Sequence, residues 1–349
     1  MTMKKKKSSS LSTNKRYRLQ VSVHTLAAAL DCPTRLALRL AGKEDAGLPA
    51  PSSWLSMLAG TWGHRALAAY WNDNWEEALA PYEVQSQQLG VTDDRRGYDN
   101  LRTILESWVA THPVERLQFD PLDRKTTEVS FVVPLGTIRS KGGETIPVDL
   151  IGYIDKLGRD KKSGRILPIE HKFPGKIDDT LIAKFAERDI QTTAYIVAAS
   201  HVLGEPCEEA WVNAIEVAKV PASDRTCPKH GVPYKECGPL MDIQKPHIKT
   251  TFIPARRDAE MQAEFIKLAL RISERTILPV AEALLKKGPL VARITPRDGL
   301  FTGACDYCDF RRWCLTNKRG RMQFDTMLRE VTVSPDRLRS GLVEEQDDN

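Results

Sequence analysis

The chain has no run of about 18 consecutive apolar residues, so no segment has the length and hydropathy of a membrane-spanning helix. A secretory leader is also missing, because the lysines at 4–7 are followed by Ser8, Ser9 and Ser10 rather than by an apolar stretch. With no export signal, seven cysteines, an odd number, argue against a disulfide framework and for thiolate ligands or inert buried thiols in a cytoplasmic protein. No internal repeat is present, which excludes solenoids and propellers. Acid is absent from residues 1–18, where Lys4, Lys5, Lys6, Lys7, Lys15, Arg16 and Arg18 contribute +7, so the rest of the chain carries −2 against an overall +5. The net charge describes a tail, and it excludes only a strongly basic packaging protein or a polyacidic chain.

What is present is a chain of 349 residues, 41% hydrophobic and 28% charged, enough for a sizeable core. Residues 1–16 have no hydrophobic period and are expected to form a disordered basic tail. Helical periodicity over 21–40 breaks at Cys32-Pro33, where proline suits a helix start. A Pro/Gly/Ser linker over 42–53 leads to a helix over 54–71 carrying His64, then to a mostly helical insertion over 72–125. Three β-branched segments follow, at 127–135, 148–157 and 166–173. Next come a helix over 178–203, a strand over 210–217 and a last helix over 259–287. A Pro-, Gly-, Cys- and His-rich stretch at 221–246 marks an insertion spanning 205–250. Residues 331–349 form an acidic tail ending in Glu344, Glu345, Asp347 and Asp348. This order predicts an α/β fold in one domain over 17–330, a mixed central sheet flanked by helices, with helical N-terminal and cysteine-rich C-terminal additions.

The stretch from 152 to 172 carries the clearest chemistry. Gly152-Tyr153-Ile154-Asp155 sets an acid in an apolar strand, and the next strand, Ile166-Leu167-Pro168-Ile169, ends in Glu170-His171-Lys172. Alternation along a strand puts Glu170 and Lys172 on one face and His171 on the other. Adjacent strands can then bring Asp155, Glu170 and Lys172 together. Carboxylate oxygens suit Mg²⁺ or Mn²⁺, and an ammonium beside them orients water or offsets phosphate charge. A lone Glu-x-Lys is more often a cross-strand salt bridge; the acid, the strand, the Glu-x-Lys and the following helix make a much rarer set. Asp149 shares the strand face of Asp155 and is expected nearer the strand start and more exposed. Glu128, opening the first strand, is either a further acid of the site or an edge carboxylate. Gln191 and Tyr195, four apart, share one helical face, where an amide and a phenol can contact a nucleotide. His64, between Gly63 and Ala66-Leu67, reads on its own as a core histidine.

Cys305, Cys308 and Cys314 are three thiols within ten residues, and a closed tetrahedral site needs a fourth ligand, for which Cys32 is the best candidate. Zinc and an iron–sulfur cluster both suit four cysteines, and either would act as a staple closing a very long loop. Cys227, His230 and Cys237, completed by Cys207 or His247, fit a small zinc site or, equally, a surface loop with free thiols.

Ile154-Asp155 followed by Glu170-His171-Lys172 resembles the PD-(D/E)XK nuclease signature, with Ile154 where the name-giving proline would stand. Gly60-Thr61-Trp62-Gly63-His64 is similar to the helical histidine motif of the RecB-like branch, and Gln191-Thr192-Thr193-Ala194-Tyr195 to its Gln-x3-Tyr motif. The N-terminal Cys-Pro with a C-terminal cysteine triplet is similar to the 4Fe-4S arrangement of the AddB nuclease domain and of the iron–sulfur exonucleases of CRISPR adaptation. The resemblance implies a restriction-endonuclease-like core and hydrolysis of DNA phosphodiesters. His64, Asp155, Glu170 and the backbone carbonyl of His171 would hold Mg²⁺ or Mn²⁺, and Lys172 would orient the attacking water or help deprotonate it. Gln191 and Tyr195 would position the strand, and Cys32, Cys305, Cys308 and Cys314 would hold a 4Fe-4S cluster. It further implies a 5′→3′ exonuclease on single-stranded or end-containing DNA, working in recombination, phage DNA processing or CRISPR adaptation beside a DNA-processing partner. The other reading is a DNA-end-binding or complex-assembly subunit with a vestigial nuclease site.

Overall fold

The computed structural model describes residues 17–41, 51–90, 95–122, 128–218, 231, 249–287 and 341–344. The first element is β1 (Tyr17–Ser22), a strand where the helical period already began at residue 21, and α1 (Val23–Asp31) follows it directly. Ser22 makes the switch possible: its Oγ accepts the Thr25 backbone N–H at 3.2 Å and caps the helix. Cys32 breaks the period as expected, and α2 (Pro33–Leu40) starts with proline in its first turn. Then come α3 (Pro51–Tyr70), α4 (Trp75–Leu79), α5 (Pro81–Gln88) and α6 (Tyr98–Thr111).

The strands form two sheets. After β2 (Phe119–Pro121), β3 (Val129–Arg139) pairs antiparallel with β4 (Thr145–Ile154), and β4 pairs parallel with β1. The second sheet contains β2, β5 (Lys156–Asp160), β6 (Ile166–Lys172), β7 (Glu209–Ile215) and β8 (Thr250–Arg256) in that spatial order. Only β6 and β7 run parallel there. The single strand expected over 148–157 is therefore two, and the chain passes from one sheet to the other at Asp155. β7 pairs with β6 and lies within the stretch 205–250. β9 (Gly341–Glu344) pairs with β1, inside the stretch expected to be an acidic tail.

Helices cover both faces, which confirms the mixed α/β reading. The helix expected over 178–203 is divided into α7 (Asp179–Ala183), a π-turn (Lys184–Arg188) and α8 (Ile190–Leu203), restarted by Asp189, whose Oδ2 accepts the Thr192 N–H at 2.8 Å. The last helical stretch runs as α9 (Ala259–Ile272), a π-turn (Ser273–Ile277) and α10 (Leu278–Lys287). α1, α8, α9 and α10 pack on one core with β1, β3 and β4. α3, α4, α5 and α6 build a second core, rich in Trp and Tyr, against β2, β6 and β7. No helix among the described residues is long and apolar enough to cross a membrane.

Asp149 departs from expectation. It is 1% exposed, and both its oxygens lie 2.7 Å from Arg18 Nη1 on the neighbouring strand. Arg18→Met strands this carboxylate and is expected to lower stability by about 1–3 kcal/mol. Adding Asp149→Asn should recover part of the loss in urea denaturation.

Candidate active site

Asp155 stands at the seam between the two sheets, after the last residue of β4 and before the first of β5. The antiparallel pairing of β5 with β6 sets Lys156 opposite Ile169, which brings Asp155 beside the carboxyl end of β6 where Glu170, His171 and Lys172 lie. α8 covers one face of that strand end, and α3 crosses the other. The crossing is close: a Cβ on Gly63 would stand 2.4 Å from the Phe173 ring. Glycine there lets the helix descend until the next residue, His64, reaches Asp155.

The structure brings the side chains of His64, Asp155, Glu170, Lys172, Gln191 and Tyr195 together. His64 Nδ1 lies 3.2 Å from Asp155 Oδ2, which also accepts the His171 backbone N–H at 2.8 Å. Lys172 Nζ donates to Glu170 Oε1 and, at 2.8 Å, to Gln191 Oε1. The ammonium can only donate, so it fixes the amide of Gln191 with its nitrogen toward Glu170 Oε1, 2.9 Å away, and toward the Tyr195 hydroxyl, 2.8 Å away. Glu170 Oε1 thus takes two donors, while Oε2 is buried with none. His171 points to the opposite face, as alternation requires, and meets Asn213 and Trp108.

Burial and charge tune these groups against one another. Burial, then the charge of Asp155, pushes Glu170 up to about 7 despite Lys172 and His64. Burial alone would raise Asp155, but the hydrogen bond and charge of His64, with His171 adding to them, hold it well below the usual carboxylate range. Desolvation opposes the charged forms of His64 and Lys172; Asp155 raises the first and Glu170 the second above their ordinary values. His171 is pushed down to about 4, chiefly by burial. On α1, desolvation and then the charges of Arg39, Lys172 and Arg35 lower the imidazole of the exposed His24 below its ordinary value. Neither these arginines nor His24 belong to any motif read from the sequence. Their only signal is the i, i+4 spacing of Arg35 and Arg39 after Cys32-Pro33.

The donor set fits a hydrated hard cation. Among the described residues no three His, Cys, Asp or Glu side chains gather tightly enough to enclose an ion. Mg²⁺ needs no such cage, because it keeps several waters and binds through one or two carboxylates. The orphaned Glu170 Oε2 beside Asp155 is the feature such an ion would satisfy.

Other candidates fall elsewhere. The Glu128 N–H donates to the Asp155 carbonyl at 3.2 Å, but its own side chain is exposed, at an edge. Cys32 is 6% exposed, at the corner between α1 and α2. Cys207 is buried, with its thiol pushed up to about 12, chiefly by burial. Cys227, His230, Cys237, His247, Cys305, Cys308 and Cys314 lie outside the described residues.

A split α/β sheet that carries an aspartate at its seam and Glu-x-Lys on the adjoining strand defines a nuclease-type fold. The model of the PD-(D/E)XK nuclease superfamily matches residues 20–315, and the chain belongs to that superfamily, whose members are nucleases that generally use Mg²⁺ or Mn²⁺. No curated protein matches the chain. A solved structure described as the crystal structure of SSO0001 is 15% identical over 86% of each chain, with a TM-score of 0.31, a likeness that carries no argument.

Two outcomes are expected. Gly63→Ala overpacks the crossing of α3 and should cost about 1–3 kcal/mol in chemical denaturation, with Phe173→Leu in the same chain restoring most of it. Because Glu170 is held above the usual carboxylate range and His64 above its ordinary value, and each must lose its proton to coordinate, metal binding should release protons and affinity should fall as the pH is lowered, as read by calorimetry in buffers of different ionisation enthalpy.

Proposed function

We propose that this protein is a RecB-like, metal-dependent deoxyribonuclease that cuts single-stranded or end-containing DNA, most simply as a 5′→3′ exonuclease. The observation that carries the reading is Glu170, one oxygen taken by Lys172 and Gln191 and the other buried with no hydrogen-bond partner, within reach of the Asp155 charge. Asp155, Glu170, the His171 carbonyl and His64 are the groups that would hold Mg²⁺ or Mn²⁺. Such an ion supplies Lewis acidity at the phosphate and lowers the pKa of water. Lys172, raised and tied to two acceptors, stays protonated, so its work is to orient water and offset phosphate charge rather than to take a proton. Gln191 and Tyr195 act on the substrate through Glu170 and Lys172, whose positions they hold. A vestigial subunit would have no need of this complete set of acids, ammonium and histidine.

We also propose the 4Fe-4S cluster on Cys32, Cys305, Cys308 and Cys314. Two pairings support it: α10 packs against α2, just after Cys32, and β9 pairs with β1. The chain on either side of residues 288–340 is thus anchored on the same lobe as Cys32.

Digestion of 5′- and 3′-labelled single- and double-stranded DNA with Mg²⁺ or Mn²⁺ tests the first proposal. Asp155→Ala and Glu170→Gln should each lower the rate at least about 10²-fold, and full activity in either overturns it. Anaerobically purified protein should be coloured and contain iron, with the colour lost in Cys32→Ala. Colourless protein holding zinc would replace the cluster with a zinc staple.

A further inference from the structure

A chain of buried hydrogen bonds leads from the helical insertion to the catalytic strand. The indole Nε1–H of Trp108, on α6, donates to Asn213 Oδ1 at 3.3 Å, and Asn213 Nδ2 lies 2.9 Å from His171 Nδ1. The three residues are 1%, 0% and 3% exposed. Asn213 sits on β7 directly opposite His171 of β6. From there the His171 main-chain N–H continues the chain to Asp155 Oδ2, and Asp155 to His64.

Donor chemistry leaves one arrangement of this chain. An indole nitrogen can only donate, so the Asn213 atom facing it is the carbonyl oxygen. The amide nitrogen then faces His171 and donates, which makes Nδ1 the unprotonated nitrogen of the ring. A fully buried amide is costly unless it is hydrogen-bonded, and here both of its ends are partnered, by Trp108 and His171.

We propose that Asn213 is a positioning residue that fixes the His171 peptide for binding a divalent cation, with Trp108 setting which way round its amide lies. The proposal rests on reading the site as metal-dependent. Rotation of the segment at His171 would move two groups at once: the N–H that holds Asp155, and the carbonyl assigned to the ion. The ring on the opposite face of the strand is the handle by which both are held. The helical insertion over 72–125, which supplies none of the proposed ligands, reaches the metal site through the Trp108 hydrogen bond.

Calorimetric titration of the full-length protein with Mn²⁺ tests this, with thermal melting as the control for folding. Asn213→Ala should bind Mn²⁺ about 10–100-fold more weakly, with activity recovering at high Mn²⁺ and the KM for DNA unchanged. Trp108→Phe, which loses the N–H but keeps a ring, should shift the affinity less and in the same direction. In nitrogen NMR of the imidazoles, His171 should carry its proton on Nε2. A folded Asn213→Ala with unaltered Mn²⁺ affinity overturns the proposal, as does a proton on Nδ1. Should Asn213→Ala fail to fold, unaltered affinity in Trp108→Phe overturns it alone. If the unmodified protein binds no Mn²⁺, the metal reading falls and this proposal with it. Binding that is lost in Glu170→Gln keeps the metal reading intact whatever the Asn213 and Trp108 variants do.

Discussion

Two carboxylates held out of water beside each other repel, and each is costly to bury in its charged form. Everything around Asp155 and Glu170 answers that cost without removing it. Asp155 takes the His64 imidazole and a backbone N–H, and it is held ionised. Glu170 takes Lys172 and the Gln191 amide on one oxygen only, and its carboxyl stays high. The two carboxyls are thus driven apart, Asp155 below the usual carboxylate range and Glu170 above it.

That division explains the architecture around the seam. A continuous strand through Asp155 would commit the backbone at that point to a single ladder. Breaking the sheet there frees the carboxylate to face β6 while β4 and β5 each keep their own partners. Each sheet then needs its own cover, and the molecule has two cores, an aliphatic one under α8 and α9 and an aromatic one under α3 and α6. The site lies where the two meet, reached by α3 from one side and α8 from the other.

Much of this could be read from the sequence. Strand alternation alone set Glu170 and Lys172 on one face and His171 on the other, and helical spacing put Gln191 and Tyr195 together. What escaped was whatever depends on long-range partners. β1 was hidden because Val21 and Ser22 run into the period of α1, and the strand exists only by pairing with β4 and β9. β8 carries Pro254 and ends in Arg256, features of an edge strand that no alternation announces. The exposure expected of Asp149 failed because its counter-ion, Arg18, is 131 residues away in sequence. Asn213, one amide in an apolar strand, has no signal at all until His171 is seen opposite it.

The position of β1 sets the order in which the molecule can be completed. It lies between β4, whose partner residues are 129 positions away, and β9, more than 320 away, and its parallel pairing with β4 closes a long loop before any contact repays the entropy. A ribosome making this protein releases the acids, the lysine and the Gln–Tyr helix well before residues 341–344 emerge to seal the free edge of β1. The nascent chain thus carries these acids, the lysine and the Gln–Tyr pair for an interval in which the sheet beside them is still open on one side.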